Sequence, residues 1–319
     1  MKTVFAEEIR GWNGDRPVDG GLFAVDGMEI KQSVTGAPYL ALSLKDRTGT
    51  VPGLMFDCDR LPTAYSIGDP VMVSGTYNSR YSNINIKRID RFSGEVDKGD
   101  FLASTTRDVG QMWQELLKVI DSIEEACCRE LLLSLFTDGD VAARFSIWPA
   151  AKDVHHSYTG GLLEHTLGVV SLCEHYSQLY SVERDVLLAG ALLHDIGKLQ
   201  EMACDLVVTY TDIGYLLGHT LLGCFMVRDT MHTLGGFPKR YSWGLLHIVA
   251  SHHGELEWGA IVRPMTMEAF LVSMADGTDA RSGRYQMLID QQRPLQQSVS
   301  ARDFFLETRV YAPRTPEEG

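Results

Sequence analysis

The chain lacks the marks of several large protein classes. Its 319 residues include only six cysteines, at positions 58, 127, 128, 173, 204 and 224, and none form a CxxC pair. Adjacent Cys127 and Cys128 do not read as a disulfide framework, and reduced thiols in a cytoplasmic protein are the expectation. No long hydrophobic run is present. The longest apolar stretch, VLLAGALL at 186–193, is far too short to span a bilayer, so no membrane association is expected. The start, MKTVFAEEIR, carries two acids and no apolar segment of the kind a secretory signal needs. Positive charge is also scarce, with 29 Lys and Arg against 42 Asp and Glu, which argues against a general nucleic-acid coat. The imbalance is local: residues 1–98 hold 12 basic and 13 acidic residues, and residues 99–319 hold 17 and 29. Histidine is missing altogether from the first 154 residues. There is no internal repeat and no low-complexity tract.

What is present divides into two patterns. Residues 1–92 alternate apolar and polar side chains in short segments (GLFAVDGMEIKQS, PYLALSLKDRTGTVPGLMF, DPVMVSGTYN, SNINIKRIDRF) separated by Asp-Gly, Thr-Gly and Ile-Gly-Asp turns. About five strands in so short a span predict a small barrel or sandwich. The strand–turn–strand of LSLKDRTGTVPGLMF and the aromatic-bearing loop after GDPVMVSGTYN favour an OB-fold. Residues 93–107 are polar, lack a period and read as a linker. From Asp108 the period becomes helical, with one break expected in 109–136 and further helices at 161–180, 183–198, 213–232, 241–252 and 266–276. The fold class is thus multidomain: a small all-β OB-fold barrel at 1–92, then an all-α bundle at 108–300. A tail at 301–319 ends in a disordered APRTPEEG.

All ten histidines lie between 155 and 253. His165, the pair His194-Asp195, His219, the pair His252-His253 and Asp276 each interrupt or close an apolar helical stretch. A buried polar group without a partner is costly. One such pair is most simply a satisfied core histidine. Several on successive helices are more simply explained by sharing a metal, since imidazole and carboxylate suit manganese, iron, nickel and zinc. Gly197 ends the His194-Asp195 helix or allows a close approach, and Lys198 places a cation beside it. His175, His232 and His247 are read as structural, and Glu164 as solvated or as support for His165. His155 and His156 are weighed evenly between phosphate contact or leaving-group protonation and no chemistry.

The order His165 … His194-Asp195 … His219 … His252-His253 … Asp276 resembles the HD-domain metal-dependent phosphohydrolases. The stretches WPAAKDVHHSYTGGLLEHTLGVV, LLHDIGK, GHTLLG, ASHHGELEWG and EAFLVSMADGTDAR are similar to one subgroup, the YhaM-type 3′→5′ exoribonucleases, whose members carry an OB-fold ahead of the HD domain. The resemblance implies that His165, His194, Asp195 and Asp276 hold one divalent ion. Asp195 then bridges to a second held by His219, His252 and His253. Manganese leads iron, nickel, cobalt, magnesium and zinc as the expected metal. Catalysis is expected from Asp195, with Lys198 on the equatorial phosphate oxygens and His156 near the leaving oxygen. Single-stranded RNA or DNA is the expected partner, held by Tyr77, Arg80, Tyr81, Lys87 and Arg88; Tyr39 is a further candidate and Phe56 is read as core. A homo-oligomer is compatible with this reading. Two alternatives remain: a phosphohydrolase of small or cyclic nucleotides, and a nucleic-acid scaffold with a degenerate HD domain.

Overall fold

The computed structural model of the chain describes residues 2–56, 65–152, 156–293 and 297–313. The chain divides into two compact units: residues 1–104 with 203–209, and residues 105–202 with 210–319.

The first unit opens with the short helix α1 (Ala6–Arg10), followed by strands β1 (Arg16–Gln32), β2 (Pro38–Asp46), β3 (Gly49–Met55), β4 (Pro70–Asn78) and β5 (Asn83–Arg91). The strand order is β1-β2-β3-β5-β4, and β1 pairs with β4 as well as with β2, so the sheet closes on itself. β1 achieves this by length. Its first half pairs with β4 and its second half with β2, with register shifts at Val18/Gly21 and Val25/Gly27, and such bulges bend a strand. Alternation fills the interior: Leu40, Leu42 and Leu44 on β2 face Phe23, Val71, Val73, Tyr77 and Ile84, with Ile9 of α1 among them.

The stretch expected to be a linker is partly structured. Lys98–Asp100 form a 3₁₀ turn capped by the Asp97 side chain, and Phe101 is fully buried. It packs with Leu22, Ala24, Leu206 and Val207. The last two come from a hairpin of β6 (Met202–Cys204) and β7 (Val208–Tyr210), which the purely helical expectation for this half did not contain. Three-residue strands carry too little alternation to register in a sequence.

The second unit is helical: α2 (Val109–Asp121), α3 (Ala126–Phe136), α4 (Gly139–Ile147), α5 (Gly161–Leu179), α6 (Arg184–Leu193), α7 (Lys198–Glu201), α8 (Asp212–Leu234), α9 (Lys239–Ser251) and α10 (Met267–Gln292). Side-chain oxygens cap the first turns of α2, α4, α8 and α10 through Asp108, Asp138, Thr211 and Thr266. α10 runs sixteen residues beyond the expected end at 276. Residues 297–313 fold back rather than trailing free. Val299 bridges to Tyr311, Val310 is buried, and Asp303 pairs with Arg284 at 2.6 Å. Most of APRTPEEG lies outside the described residues. No helix among the described residues is long and apolar enough to cross a membrane.

Candidate metal centre

The stretch LLHDIGK, residues 192–198, is buried almost throughout. Leu192, Leu193 and Ile196 are fully buried, and so is His194, while Asp195 is 2% exposed. His194 and Asp195 are not on a continuous helix. α6 ends at Leu193, and residues 194–197 form a turn leading into α7. The turn sits tightly against α8: a Cβ on Gly197 would lie 2.0 Å from the backbone oxygen of His219. Glycine is required there for close approach. α8 is itself broken at Gly218, whose φ of 69° is left-handed. The helix restarts at His219, whose backbone N–H donates to Glu201 Oε1 at 2.9 Å.

The residues expected to bind metal converge, from the α6–α7 turn, from helices α5, α8 and α10, and from the turn that follows α9. His165 Nε2 lies 3.5 Å from Asp195 Oδ2 and 3.2 Å from Asp276 Oδ1. His194 Nε2 lies 3.4 Å from Asp195 Oδ2. On the other side, His219 Nε2 and His252 Nε2 each lie 3.5 Å from Asp195 Oδ1. His253 Nε2 approaches His219 Nε2 at 2.9 Å. The two oxygens of Asp195 are thus divided between two sets of histidines.

The tautomers are fixed from behind. His194 Nδ1 donates to the Ala191 carbonyl at 2.7 Å, and His252 Nδ1 to the Val249 carbonyl at 2.8 Å. His165 Nδ1 donates to Asp279 Oδ2 at 2.7 Å, and His219 Nδ1 to Glu201 Oε1 at 2.9 Å. With Nδ1 committed, each ring in its neutral form would turn an Nε2 lone pair toward Asp195. His252 Nε2 is buried and makes no hydrogen bond. Four lone pairs and two carboxylates facing one another are a cation's donor set, and metal-ligating histidines are held by such outer partners. The trios His165–His194–Asp276 and His219–His252–His253 each bring three ligand atoms within 4.8 Å of one another, as does His156–His165–Asp279.

Charges in the cluster follow. Burial opposes ionisation of Asp195, but Lys198 and His194 hold its carboxyl well below the usual range. Asp276 and Asp279 are likewise held low against burial, Asp276 chiefly by His165 and Asp279 by His156 and His165. Burial would discharge His165, but Asp276 and Asp279 raise it to about 9. Burial and the neighbouring His252 and His219 push His253 down to about 2.

Some expectations shift. Lys198 was expected on substrate phosphate, but it is 8% exposed and its Nζ donates to Asp195 Oδ2 at 2.5 Å. It holds the carboxylate ionised. His156 was expected at the leaving oxygen, but its Nδ1 contacts Tyr158 Oη at 2.7 Å and its Nε2 contacts Asp279 at 3.1 Å. It braces Asp279, at an unusual φ of 47°. His155 lies outside the described residues. Asp279 and Glu201 were missed. Asp279 follows Asp276 by one helical turn and Glu201 follows Lys198 likewise, spacings that share a face. Glu164 accepts from Tyr158 and from Thr105. His175 bonds the Ser171 carbonyl and His247 accepts from Met265 N, both away from the cluster.

In the first unit Tyr77 is 1% exposed, inside the barrel against Trp12, and its ring is closed to a ligand. Arg80 and Tyr81 stand in the exposed β4–β5 turn, the guanidinium 5.5 Å from the ring centroid. Lys87 and Arg88 are exposed on β5, with Arg88 paired to Asp90 at 2.6 Å. Phe56, expected in the core, is exposed and stacks on Tyr39 with centroids 5.1 Å apart.

Comparison with known proteins agrees with this geometry. The family model of the HD domain matches residues 162–281. A curated protein of Bacillus velezensis named 3′-5′ exoribonuclease YhaM is 29% identical over 86% of this chain and 88% of its own. Proteins of the same name from Bacillus subtilis and Listeria monocytogenes are each 28% identical, covering 86% and 88% of this chain and 88% and 92% of theirs. Residues 162–281 are an HD domain, and across most of its length the chain is similar to the YhaM proteins.

Proposed function

We propose that this chain is a divalent-metal-dependent 3′→5′ exoribonuclease that hydrolyses phosphodiester bonds of single-stranded RNA, with single-stranded DNA as a secondary substrate. The reading joins the named activity of the relatives to one observation: the Asp195 carboxylate lies between two histidine sets, with one oxygen toward each. His165, His194, Asp195 and Asp276 would hold one ion; Asp195, His219, His252 and His253 the second. Manganese is the first candidate, ahead of iron, nickel, cobalt, magnesium and zinc. Bound divalent ions supply Lewis acidity that eases deprotonation of water and neutralises charge on phosphate oxygens. The chain's own residues prepare the place. Lys198 keeps Asp195 anionic, Asp279 and Glu201 hold Nδ1 of His165 and His219 and so aim their Nε2 atoms into the cluster, and His156 with Tyr158 keeps Asp279 in position.

The closed five-strand sheet we read as an OB-fold at 1–92 that delivers the strand, and residues 108–300 as the hydrolase. OB-folds hold single strands by stacking bases on aromatics along a charged groove. Tyr81, Arg80, Lys87 and Arg88, with half-buried Tyr39 and the exposed Phe56 beside it, supply those groups. The setting is the cytoplasm, and a homo-oligomer is compatible with it.

The test uses single-stranded RNA labelled at its 5′ end, metal-depleted protein with Mn²⁺ restored, and Asp195→Ala beside it. A ladder shortening from the 3′ end that needs both metal and Asp195 is expected. Intact RNA together with turnover of a cyclic nucleotide would replace this reading with the small-nucleotide one.

A further inference from the structure

α10 presents two different surfaces. Asp276 and Asp279 join the metal-binding cluster. Arg281 is exposed, and its guanidinium carbon lies 5.4 Å from the centroid of Trp258. Trp258 ends the 3₁₀ turn Leu256–Trp258, which begins three residues after His253. Its indole is 61% exposed.

This loop is built rather than loose. Gly254 N bonds Ser251 O at 2.8 Å, Trp258 N bonds Glu255 O at 3.1 Å, and Ile261 N bonds Ala250 O at 2.9 Å. Its root rests on α10, where a Cβ on Gly254 would lie 3.7 Å from Ser273 Oγ. The loop therefore leaves the metal-binding pair His252-His253, touches the helix that carries Asp276, and offers an indole to solvent. Arg281 makes no ion pair with any carboxylate among the described residues, whereas Arg263 in the same loop is paired with Glu255 at 2.7 Å. Next to Asp276 the surface of α10 is open at Gly277, where a Cβ would meet nothing within 4 Å. Arg281 follows Asp276 by five residues, about 7.5 Å along the axis and about 140° around it, so the Trp258–Arg281 pair flanks the cluster from a neighbouring side of α10.

An exposed indole with an uncommitted guanidinium beside it suits one ligand chemistry: a nucleobase that stacks and a phosphate that pairs. Resting on the exonuclease reading above, we propose that Trp258 and Arg281 form the platform for the 3′-terminal nucleotide. Trp258 stacks on the base that is about to leave, and Arg281 pairs with backbone phosphate. Stacking on an indole takes any base, as an enzyme that shortens RNA stepwise requires.

The test compares two single-stranded RNAs of equal length, one ending in adenosine and one whose last nucleotide lacks its base, with Mn²⁺ present. First-cleavage kcat and KM are measured for the unaltered protein, Trp258→Ala, Trp258→Phe and Arg281→Gln. For the unaltered protein, loss of the base should raise KM about tenfold, the worth of one stacked base. Trp258→Ala should show that same raised KM on both RNAs, with kcat on the abasic RNA unchanged; Trp258→Phe should restore most of the difference. Arg281→Gln should raise KM on both. An equal penalty for the missing base in the unaltered protein and in Trp258→Ala would overturn the platform, as would loss of turnover on the abasic RNA in Trp258→Ala. Failure of the unaltered protein to shorten either RNA would instead bring down the exonuclease reading, and the platform with it.

Discussion

Asp195 is surrounded by more positive and lone-pair-bearing groups than a single buried carboxylate needs, and the residues behind the histidines explain why they stay in place. Asp195→Asn keeps the shape but removes the charge, and is expected to abolish RNA shortening and to lower bound metal, read by elemental analysis. Glu201→Gln and Asp279→Asn touch no proposed ion, yet each should weaken metal affinity or activity by about 10–100-fold, read by titrating Mn²⁺ against rate. The sequence carried the histidine pattern well, because His165, His194, His219 and His252 stand in apolar segments where an imidazole has no other reason to be. It did not distinguish Asp279 and Glu201 from the other acids among 42, since a helical carboxylate is ordinarily solvated. Nor could it separate Tyr77 from Tyr81: the two share a parity, and they differ because β4 ends at Asn78, leaving Tyr77 in the barrel and Tyr81 in the turn beyond it.

At the level of elements, two contacts set the site's geometry. The turn at Gly197 lies against α8, so Gly197→Ala must push His219 away. A loss of about 1–3 kcal/mol is expected from the overpacking, seen as a lower melting temperature together with reduced activity. The returning segment 297–313 is held by Arg284 on Asp303. Burial would raise the Asp303 carboxyl, but Arg284 and the Leu306 amide hold it below the ordinary carboxylate range. Its stabilisation is therefore complete above the unfolded carboxylate's pKa and drains away as pH falls through the lower, folded value. Amide exchange of 299–311 should speed up on acidification, and Asp303→Asn should remove that pH dependence. Helix positions were largely readable from apolar period. The end of α10 was not, because Gly277 reads as a stop signal although nothing in the helix obliges it to end there.

On the scale of the whole chain, the separation into strand-rich and helical halves was legible from periodicity alone. The return of 203–209 to the first unit was not, since nothing local in Leu206 or Val207 announces a partner a hundred residues earlier. Both are nearly fully buried there. Leu206→Ala should cost the first unit about 2–5 kcal/mol, measured as a selective loss of protection from exchange in β1 and around Phe101, even though the substitution falls between Asp195 and His219 in the chain. The same hairpin dictates an order of events at the ribosome. The first 104 residues emerge with every strand of the closed sheet, yet with Leu22, Ala24 and Phe101 still bare, and they wait for about another hundred residues of synthesis before Leu206 and Val207 arrive to cover them. A nascent chain halted in that interval presents apolar surface that Leu206 and Val207 cover in the finished protein.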